Sequence, residues 1–226
     1  MSNSAFAKTG FAFCVLALAA ASATARDWEG FTPRDPSLKQ PSHWEWAWDG
    51  NDSLGIGLVG ATVHYVPTGP ARIVVTGPDE ALERVRVGQG QIRWCEDCRA
   101  IKGLEVTVSG VTLHHVALSG ADDTIQLGRL DQDQLHLALA GTGEIDASGR
   151  VDQLSVSLAG SGNIRMDDAK VQRANINIAG SGDVAVTPRQ EANVHVAGSG
   201  RVRMTAMPAQ LNQSITGSGG VRVVNN

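Results

Sequence analysis

The chain has 226 residues, of which 42% are hydrophobic and 4% are aromatic, and its formal net charge at pH 7 is −4. This length is enough for one sizeable or elongated domain after a leader is removed. The acidic balance argues against nucleic acid and against anionic membrane surfaces as partners.

Residues 1–25 are predicted to be a secretory signal peptide. Lys8 precedes an uninterrupted apolar stretch, residues 11–21, and the small residues that follow form an A-x-A cleavage pattern. The apolar stretch falls well short of the about 20 residues that a membrane-spanning helix needs. We therefore expect cleavage after Ala25 or Ala23, and an exported protein of the bacterial periplasm or cell surface. We expect no transmembrane segment in the mature chain.

Residues 26–53 are rich in Pro, Trp and charge and show no sustained period, which predicts a linker or Trp-rich arm. In an extended segment the rings of Trp44, Trp46 and Trp48 share one face. Such a face could bind sugar rings or peptides. Alternatively, it could cap the open end of the domain that follows or pack between subunits, and of these we favour the cap. Further on, Pro78 and the acidic residues after it predict a short helix over residues 79–87.

Cys95 and Cys98 are the two cysteines that remain after the predicted cleavage, and an oxidising compartment permits them to pair. With Trp94 they resemble the Trp-Cys-x-x-Cys motif of thioredoxin-like oxidoreductases in those residues alone. That chemistry needs a thiolate at a helix N-terminus, whereas residues 88–93 and 104–108 are predicted as strands. A structural disulfide is therefore favoured over a redox centre, and a zinc site lacks a second pair of ligands.

The strongest signal in the chain is an internal repeat. A Gly-Ser/Thr-Gly triplet occurs five times at intervals of 18 to 20 residues, at positions 141–143, 160–162, 180–182, 198–200 and 217–219. The segments before and after each triplet alternate between apolar and polar residues, as in half-buried strands. Residues 95–226 contain no aromatic residue, so their core must be narrow and aliphatic.

Stacking of these units predicts an all-β fold, a parallel β-solenoid of coils of about 20 residues, each with two strands and a Gly-Ser-Gly corner. A short β-rich part precedes the regular coils, which we place at residues 135–226. Two inward columns are expected: Leu139, Leu158, Ile178, Val196 and Ile215 in one, and Ile145, Ile164, Val184, Val202 and Val221 in the other. An antiparallel sandwich is the alternative, but it would not keep one register through five units.

Two phrases carry a family resemblance: Ala-Gly-Ser-Gly-Asn-Ile at 159–164 and Ala-Gly-Ser-Gly-Asp-Val at 179–184. With the alternating segments before them, and with residues 54–93, they resemble a bacterial family known as the auto-transporter adhesin head GIN domain. The resemblance covers residues 54–226. It implies a β-helix-like fold and a location in the cell envelope, and it brings no catalytic residues with it.

The repeat does not favour a calcium site, a carbohydrate-active site or a site built on the histidines. Calcium-binding β-rolls need a nine-residue period with an Asp in each turn, and here Arg201 occupies the position held by Asp183 one coil earlier. A carbohydrate-active β-helix enzyme is not favoured, because it needs clustered carboxylates and long loops that form a groove. The histidines, including His136 and His195, are predicted to be solvated surface residues.

We therefore predict a non-catalytic adhesion or binding module of the cell envelope, with no cofactor, no metal site and no catalytic residue. Its partner would be an envelope protein or a polysaccharide that contacts the flat outward Ser/Asn face. A purely structural, self-assembling module is the alternative, and a β-helix enzyme is the less favoured one. The open edge of the last coil also predicts a homo-oligomer, either a trimer or a dimer.

Overall fold

The computed structural model describes residues 31–50, 52–95 and 98–224. The predicted signal peptide and the first residues of the predicted arm lie outside these ranges. The N-terminal part contains a short helix α1 (Asp79–Leu82) and nine strands: β1 (Leu38–Gln40), β2 (His43–Ala47), β3 (Ser53–Gly57), β4 (Thr62–Val66), β5 (Arg72–Thr76), β6 (Val85–Gly88), β7 (Gln91–Trp94), β8 (Glu105–Ser109) and β9 (His115–Gly120). The C-terminal part contains β10 (Thr124–Gly141), β11 (Glu144–Gly160), β12 (Asn163–Gly180), β13 (Asp183–Gly198), β14 (Arg201–Met204), β15 (Gln210–Gly217) and β16 (Gly220–Val223).

The C-terminal part is a parallel β-solenoid, as predicted. Strands β10, β11, β12 and β13 each wind once around the axis and pair in parallel with the equivalent strand of the next coil. The register of both predicted inward columns is confirmed: Leu139 pairs with Leu158, for example, and Ile145 pairs with Ile164. Their members are buried except in the last coil, where Ile215 is exposed. Because these side chains are 0–2% exposed from Leu139 to Val196, successive coils share one aliphatic core.

Each coil has three ladder segments rather than the two strands that were predicted. After the corner and its second segment, the register shifts, and a third segment follows over residues 130–132, 149–151 and 169–171. This segment contributes buried side chains such as Leu130, Val151 and Val171 to the core. A third face closes the cross-section, so the core needs no bulky aromatic side chain to fill it.

The corner glycines are required by both conformation and space. The first glycine of each triplet has a φ between 120° and 137°, a region that L-residues rarely adopt. A Cβ atom at Gly180 would collide with the backbone carbonyl of Gly160 in the preceding coil. The third glycine also makes room for a core side chain, since a Cβ atom at Gly182 would lie 2.6 Å from the Leu158 side chain as well as collide with the carbonyl of Gly162.

The N-terminal part continues the same ladders and then closes them. One ladder runs from β10 through β9 and β3 to β7, which pairs antiparallel with β6. The other runs from β10 through β4 to β8 and then turns antiparallel through β5 and β2 to β1. The switch from parallel to antiparallel pairing ends the coil stack, and these strands lie over the first coils.

Two local predictions need correction. Residues 38–47 were predicted as part of a linker or arm. They form β1 and β2, because β2 pairs with β5 and β1 pairs with β2. The predicted helix over residues 79–87 is shorter, since α1 ends at Leu82 and Val85 begins strand β6. In the ranges that the structure describes, no helix is long and apolar enough to cross a membrane.

The first coil has an acidic residue at its corner where later coils have glycine. The backbone carbonyl of Asp123 accepts a hydrogen bond from Glu144, as that of Gly143 does from Asn163 one coil later. The Asp123 side chain is 1% exposed, and its Oδ1 accepts the backbone N–H of Ala61 at 2.8 Å. Burial, followed by the nearby charge of Asp122, raises the pKa of Asp123 to about 6.

Candidate functional site

The most regular surface of the molecule is the outward side of the ladder that ends at each Gly-Ser-Gly corner. We call this surface the polar face. Its three outward columns follow from the strand register: His115, His136, Ser155, Asn175, Asn193 and Asn212; Ala117, Ala138, Ser157, Asn177, His195 and Ser214; and Ser119, Ala140, Ala159, Ala179, Ala197 and Thr216. None of these side chains is buried. Because the coils stack about 4.8 Å apart, the columns present chemically similar groups at a constant repeat.

Asparagine side chains form a hydrogen-bonded ladder along the first column of the polar face. The Asn193 Nδ2 donates to the Asn175 Oδ1 at 3.0 Å, and the Asn212 Nδ2 donates to the Asn193 Oδ1 at 2.9 Å. Ladders of stacked amides hold side chains in one rotamer and add to the pairing of the strands beneath them. The polar face is therefore ordered before any partner binds, which lowers the entropic cost of binding.

The neighbouring face, which follows each corner, is charged but largely self-neutralised. Arg165 forms ion pairs with Asp146 and Glu144 of the preceding coil, and Arg201 pairs with Asp183 at 3.0 Å. The arginines take up carboxylates that a glycosidase-like mechanism would need on this face. The polar face offers neutral hydrogen-bonding groups, and it is the surface better suited to contact with a neutral or mixed partner.

Histidines cluster at the N-terminal end of the polar face. The rings of His115 and His136 stack with their centroids 4.8 Å apart and an interplanar angle of 6°. The Nδ1 atoms of His114 and His115 lie 3.3 Å and 3.9 Å from the Asp52 Oδ2. With Asp133 and Gln134, these residues line a shallow depression of about 320 Å³.

The electrostatics of this cluster disfavour a second positive charge. Burial, followed by the charges that His115 and His114 would carry, lowers the pKa of His136 below its ordinary value. In residues 31–50, 52–95 and 98–224, no group of three or more His, Cys, Asp or Glu side chains is placed to hold a metal ion. His136 is thus held in its neutral form, in which the ring can both donate and accept a hydrogen bond.

Sequence reasoning missed this cluster. The sequence predicted the histidines, including His136 and His195, to be solvated surface residues, but it did not align His115 with His136. The interval from Gly120 to Gly141 is 21 residues, close to the repeat, but the corner after Gly120 lacks the Gly-Ser-Gly triplet. Alternation in residues 115–120 was the signal that could have placed His115 beside His136.

The three tryptophans of the predicted arm lie over the core at the N-terminal end. Trp44 and Trp46 stand opposite Val75 and Ile73 of β5. Trp46 is 3% exposed and its Nε1 donates to the carbonyl of Arg34, while Trp44 and Trp48 are half-buried against the same core. Trp46 therefore has no free ring face for a ligand. Capping by these rings stays a prediction that this packing supports.

Cys95 and Cys98 lie at disulfide-bonding distance, with their Cα atoms 5.4 Å apart. Strand β7 precedes them, and residues 98–104 contain no helix. The backbone N–H of Cys95 donates to Arg84 at 2.7 Å, so the loop is also held by the chain before β6. No helix follows the pair within the described residues 98–104, and a structural rather than a redox role for the disulfide stays a prediction.

The fold and the polar face define an elongated, loop-poor β-solenoid with an ordered, shallow surface. Residues 65–208 match the model of the family described as "Putative auto-transporter adhesin, head GIN domain". The chain belongs to this family, as its Gly-Ser-Gly phrases predicted.

Solved structures similar to this chain include proteins described as adhesins and as a lipid-binding protein. A putative adhesin from Bacteroides fragilis superposes with a TM-score of 0.60 at 17% identity, over 81% of this chain and 97% of that chain. A putative lipid-binding protein from Parabacteroides distasonis gives a TM-score of 0.47 at 20% identity, over 84% of this chain and 98% of that chain. No curated protein matches the chain significantly.

Proposed function

We propose that this protein is an exported, non-catalytic binding module of the bacterial cell envelope that attaches to another macromolecule through its polar face. The observation that carries the proposal is the register of that face: six coils place mostly small side chains, many of them polar, in line. A shallow, pre-ordered surface of this kind suits contact with an extended or flat partner.

The family supports a location in the cell envelope and a role as a binding module. Its description is that of an adhesin head, and residues 1–25 have the pattern of a secretory signal peptide. The partner we propose is an envelope protein or a polysaccharide, because the face offers amide and hydroxyl groups rather than a net charge. Hydroxyl-rich polymers are bound through such neutral donors and acceptors.

A bulky charged substitution at the centre of the polar face tests the proposal. Asn177 is exposed between Ser157 and His195, so Asn177→Arg should leave the fold intact but obstruct the surface. Gln126→Arg is the matched control, since Gln126 is exposed on the neighbouring charged face.

Binding of each variant to intact cells and to purified envelope polysaccharide is measured in parallel with that of the unaltered protein. We expect Asn177→Arg to lose at least about tenfold in apparent affinity, a loss of about 1.4 kcal/mol, while Gln126→Arg retains binding. Equal binding by all three proteins would exclude the polar face as the contact surface.

A further inference from the structure

We propose that two copies of this protein form a twofold-symmetric dimer in which β15 of one copy pairs antiparallel with β15 of the other. In the described ranges β15 pairs with β13 alone, so its outer edge presents backbone donors and acceptors without a strand partner. Such edges accept a further strand unless charge, a bulge or a covering segment protects them. This inference is independent of the polar face and its partner.

The two ends of the solenoid differ in how their cores are covered. At the N-terminal end the antiparallel strands β2 and β5 and the buried Trp46 lie against the core. At the C-terminal end Ile215 is 38% exposed, whereas Val196, its equivalent in the preceding coil, is 2% exposed. Head-to-tail stacking would require an uncovered core at the N-terminal end. Because that end is covered, we infer that the C-terminal edge pairs with the same edge of a second copy.

Charge and side-chain chemistry suit a contact between identical strands. Residues 210–217 contain no ionisable side chain, so twofold pairing sets no like charges against each other. Protected edge strands, by contrast, carry lysine or other charges. A neutral β15 is therefore compatible with a copy of itself in a way that a charged strand would not be.

The register of the dimer follows from which side chains face inward. Gln213 pairs with Val194, so it occupies an inward position that preceding coils fill with aliphatic residues. A twofold axis at Gln213 sets Leu211 opposite Ile215 of the second copy, so that apolar side chains from both copies share one core. The two Gln213 amides can then hydrogen-bond reciprocally, because an amide both donates and accepts.

The outward side chains of the same register are also complementary. An axis at Gln213 places Asn212 opposite Ser214 of the second copy, twice by symmetry. The Asn212 Nδ2 is already used on Asn193, and its Oδ1 can accept a hydrogen bond from the Ser214 hydroxyl of the other copy. One register thus allows backbone hydrogen bonds, apolar packing on the core side and side-chain hydrogen bonds on the polar side of the edge.

Light scattering on the exported protein across a dilution series tests the dimer. We expect a dimer at about 100 μM and dissociation on dilution. Gln213→Lys should raise the dimer dissociation constant at least about tenfold, because two ammonium groups would meet on the axis. Gln126→Lys is the control, since it adds the same charge at an exposed position of the neighbouring charged face, away from β15. A monomer throughout, or an unaltered dimer in Gln213→Lys, would overturn the proposal.

Cross-linking tests the register separately from the affinity. Gln213→Cys places two thiols directly opposite each other, within reach of a disulfide, so mild oxidation should give a covalent dimer. Ser214→Cys places its thiols on a diagonal about 7 Å apart, beyond disulfide geometry, and should remain uncross-linked. Cross-linking through residue 214 without cross-linking through residue 213 would refute the axis at Gln213. A thermal transition unchanged from that of the unaltered protein shows that each variant is folded.

Discussion

The rings of His115 and His136 stack face to face, 4.8 Å apart, because β9 and β10 place them at the same position in adjacent coils. In later coils this column contains serine and asparagine, which do not titrate. The stack therefore introduces a pH-sensitive element at one end of an otherwise neutral surface. A second proton in the stack is disfavoured, because two imidazolium rings in contact repel each other.

The first prediction concerns the pH dependence of stability at this stack. The pKa of His136 is lowered in the folded protein by burial and by His115 and His114. The unfolded chain then binds a proton more readily, so this contribution is complete above the ordinary imidazole pKa of about 6.5 and is lost as pH falls below it. We expect His136→Gln to lose less stability than the unaltered protein between about pH 8 and pH 5.

Urea denaturation at both pH values, together with NMR titration of the ring protons, measures this difference. His195→Gln is the matched control, because His195 lies in the second column without a stacked ring. The same loss of stability in His136→Gln and in the unaltered protein would show that the stack does not couple to folding.

The second prediction concerns Asp123, whose contribution to stability depends on pH with the opposite sign. The pKa of Asp123 is raised to about 6 by burial, so the folded protein holds this proton more tightly than the unfolded chain. The stabilising contribution of protonation is complete below the ordinary Asp pKa of about 3.9 and is lost as pH rises through about 6. Asp123→Asn keeps an acceptor for the Ala61 N–H and removes the buried charge.

We therefore expect Asp123→Asn to be more stable than the unaltered protein at pH 7, by on the order of 3 kcal/mol, and to lose this advantage near pH 4. Thermal and urea denaturation at both pH values give the comparison. Asp168→Asn is the control, since Asp168 is exposed. An Asp123→Asn variant that is less stable at pH 7 would mean that the carboxylate has a charged partner in solution.

The inward columns could be predicted from the sequence because two independent patterns agree on them. The alternation assigns Ile178 to the core side of its strand, and the triplets align it with Leu158 and Val196. The third segment of each coil escaped prediction because its aligned residues, Leu130, Gly149 and Ala169, share no motif. Their alignment depends on register shifts that the triplet spacing does not reveal.

The N-terminal part was predicted less well, because its pairing is between distant segments. Glu45 and Val74 are neighbours across β2 and β5, yet nothing local in the residues around either of them specifies the other. The same limit applied to the candidate site. The polar face followed from the repeat, whereas the histidine cluster depends on Asp52, which directly precedes β3, and β3 is joined to β9 only by long-range pairing.

The third prediction concerns Cys95 and Cys98. Mass analysis of the exported protein should show no free thiol. Replacing both residues with Ser should cost only about 1 kcal/mol, because the closed loop is very short and the backbone around Cys95 is also hydrogen-bonded to Arg84. Two reactive thiols in protein isolated from the envelope would show that the pair is open there and would contradict a structural role.

The fourth prediction tests the register of the core. Ile178 is 2% exposed, so Ile178→Asp buries an unpaired charge and should lower the free energy of unfolding by more than about 3 kcal/mol. Asn177→Asp, one residue away, should change it by less than about 0.5 kcal/mol, because that side chain faces solvent. Urea denaturation of the two variants measures both changes. Equal losses of unfolding free energy would show that the assigned register of this strand is wrong.

The last prediction concerns the corner glycines. Gly180 has a φ of 137°, and a Cβ atom there would collide with the carbonyl of Gly160, a backbone atom that cannot rotate away. Gly180→Ala should therefore destabilise the protein by about 2 kcal/mol or more, through strain and the separation of two coils. Ser181→Ala, at the exposed centre of the same triplet, should be nearly neutral. Thermal unfolding compares the two variants, and hydrogen exchange should show loss of protection in β11 and β12 before other strands. If Gly180→Ala were as stable as Ser181→Ala, the corner would have to adopt another conformation, and the close stacking of glycines that explains the triplet repeat would be incorrect.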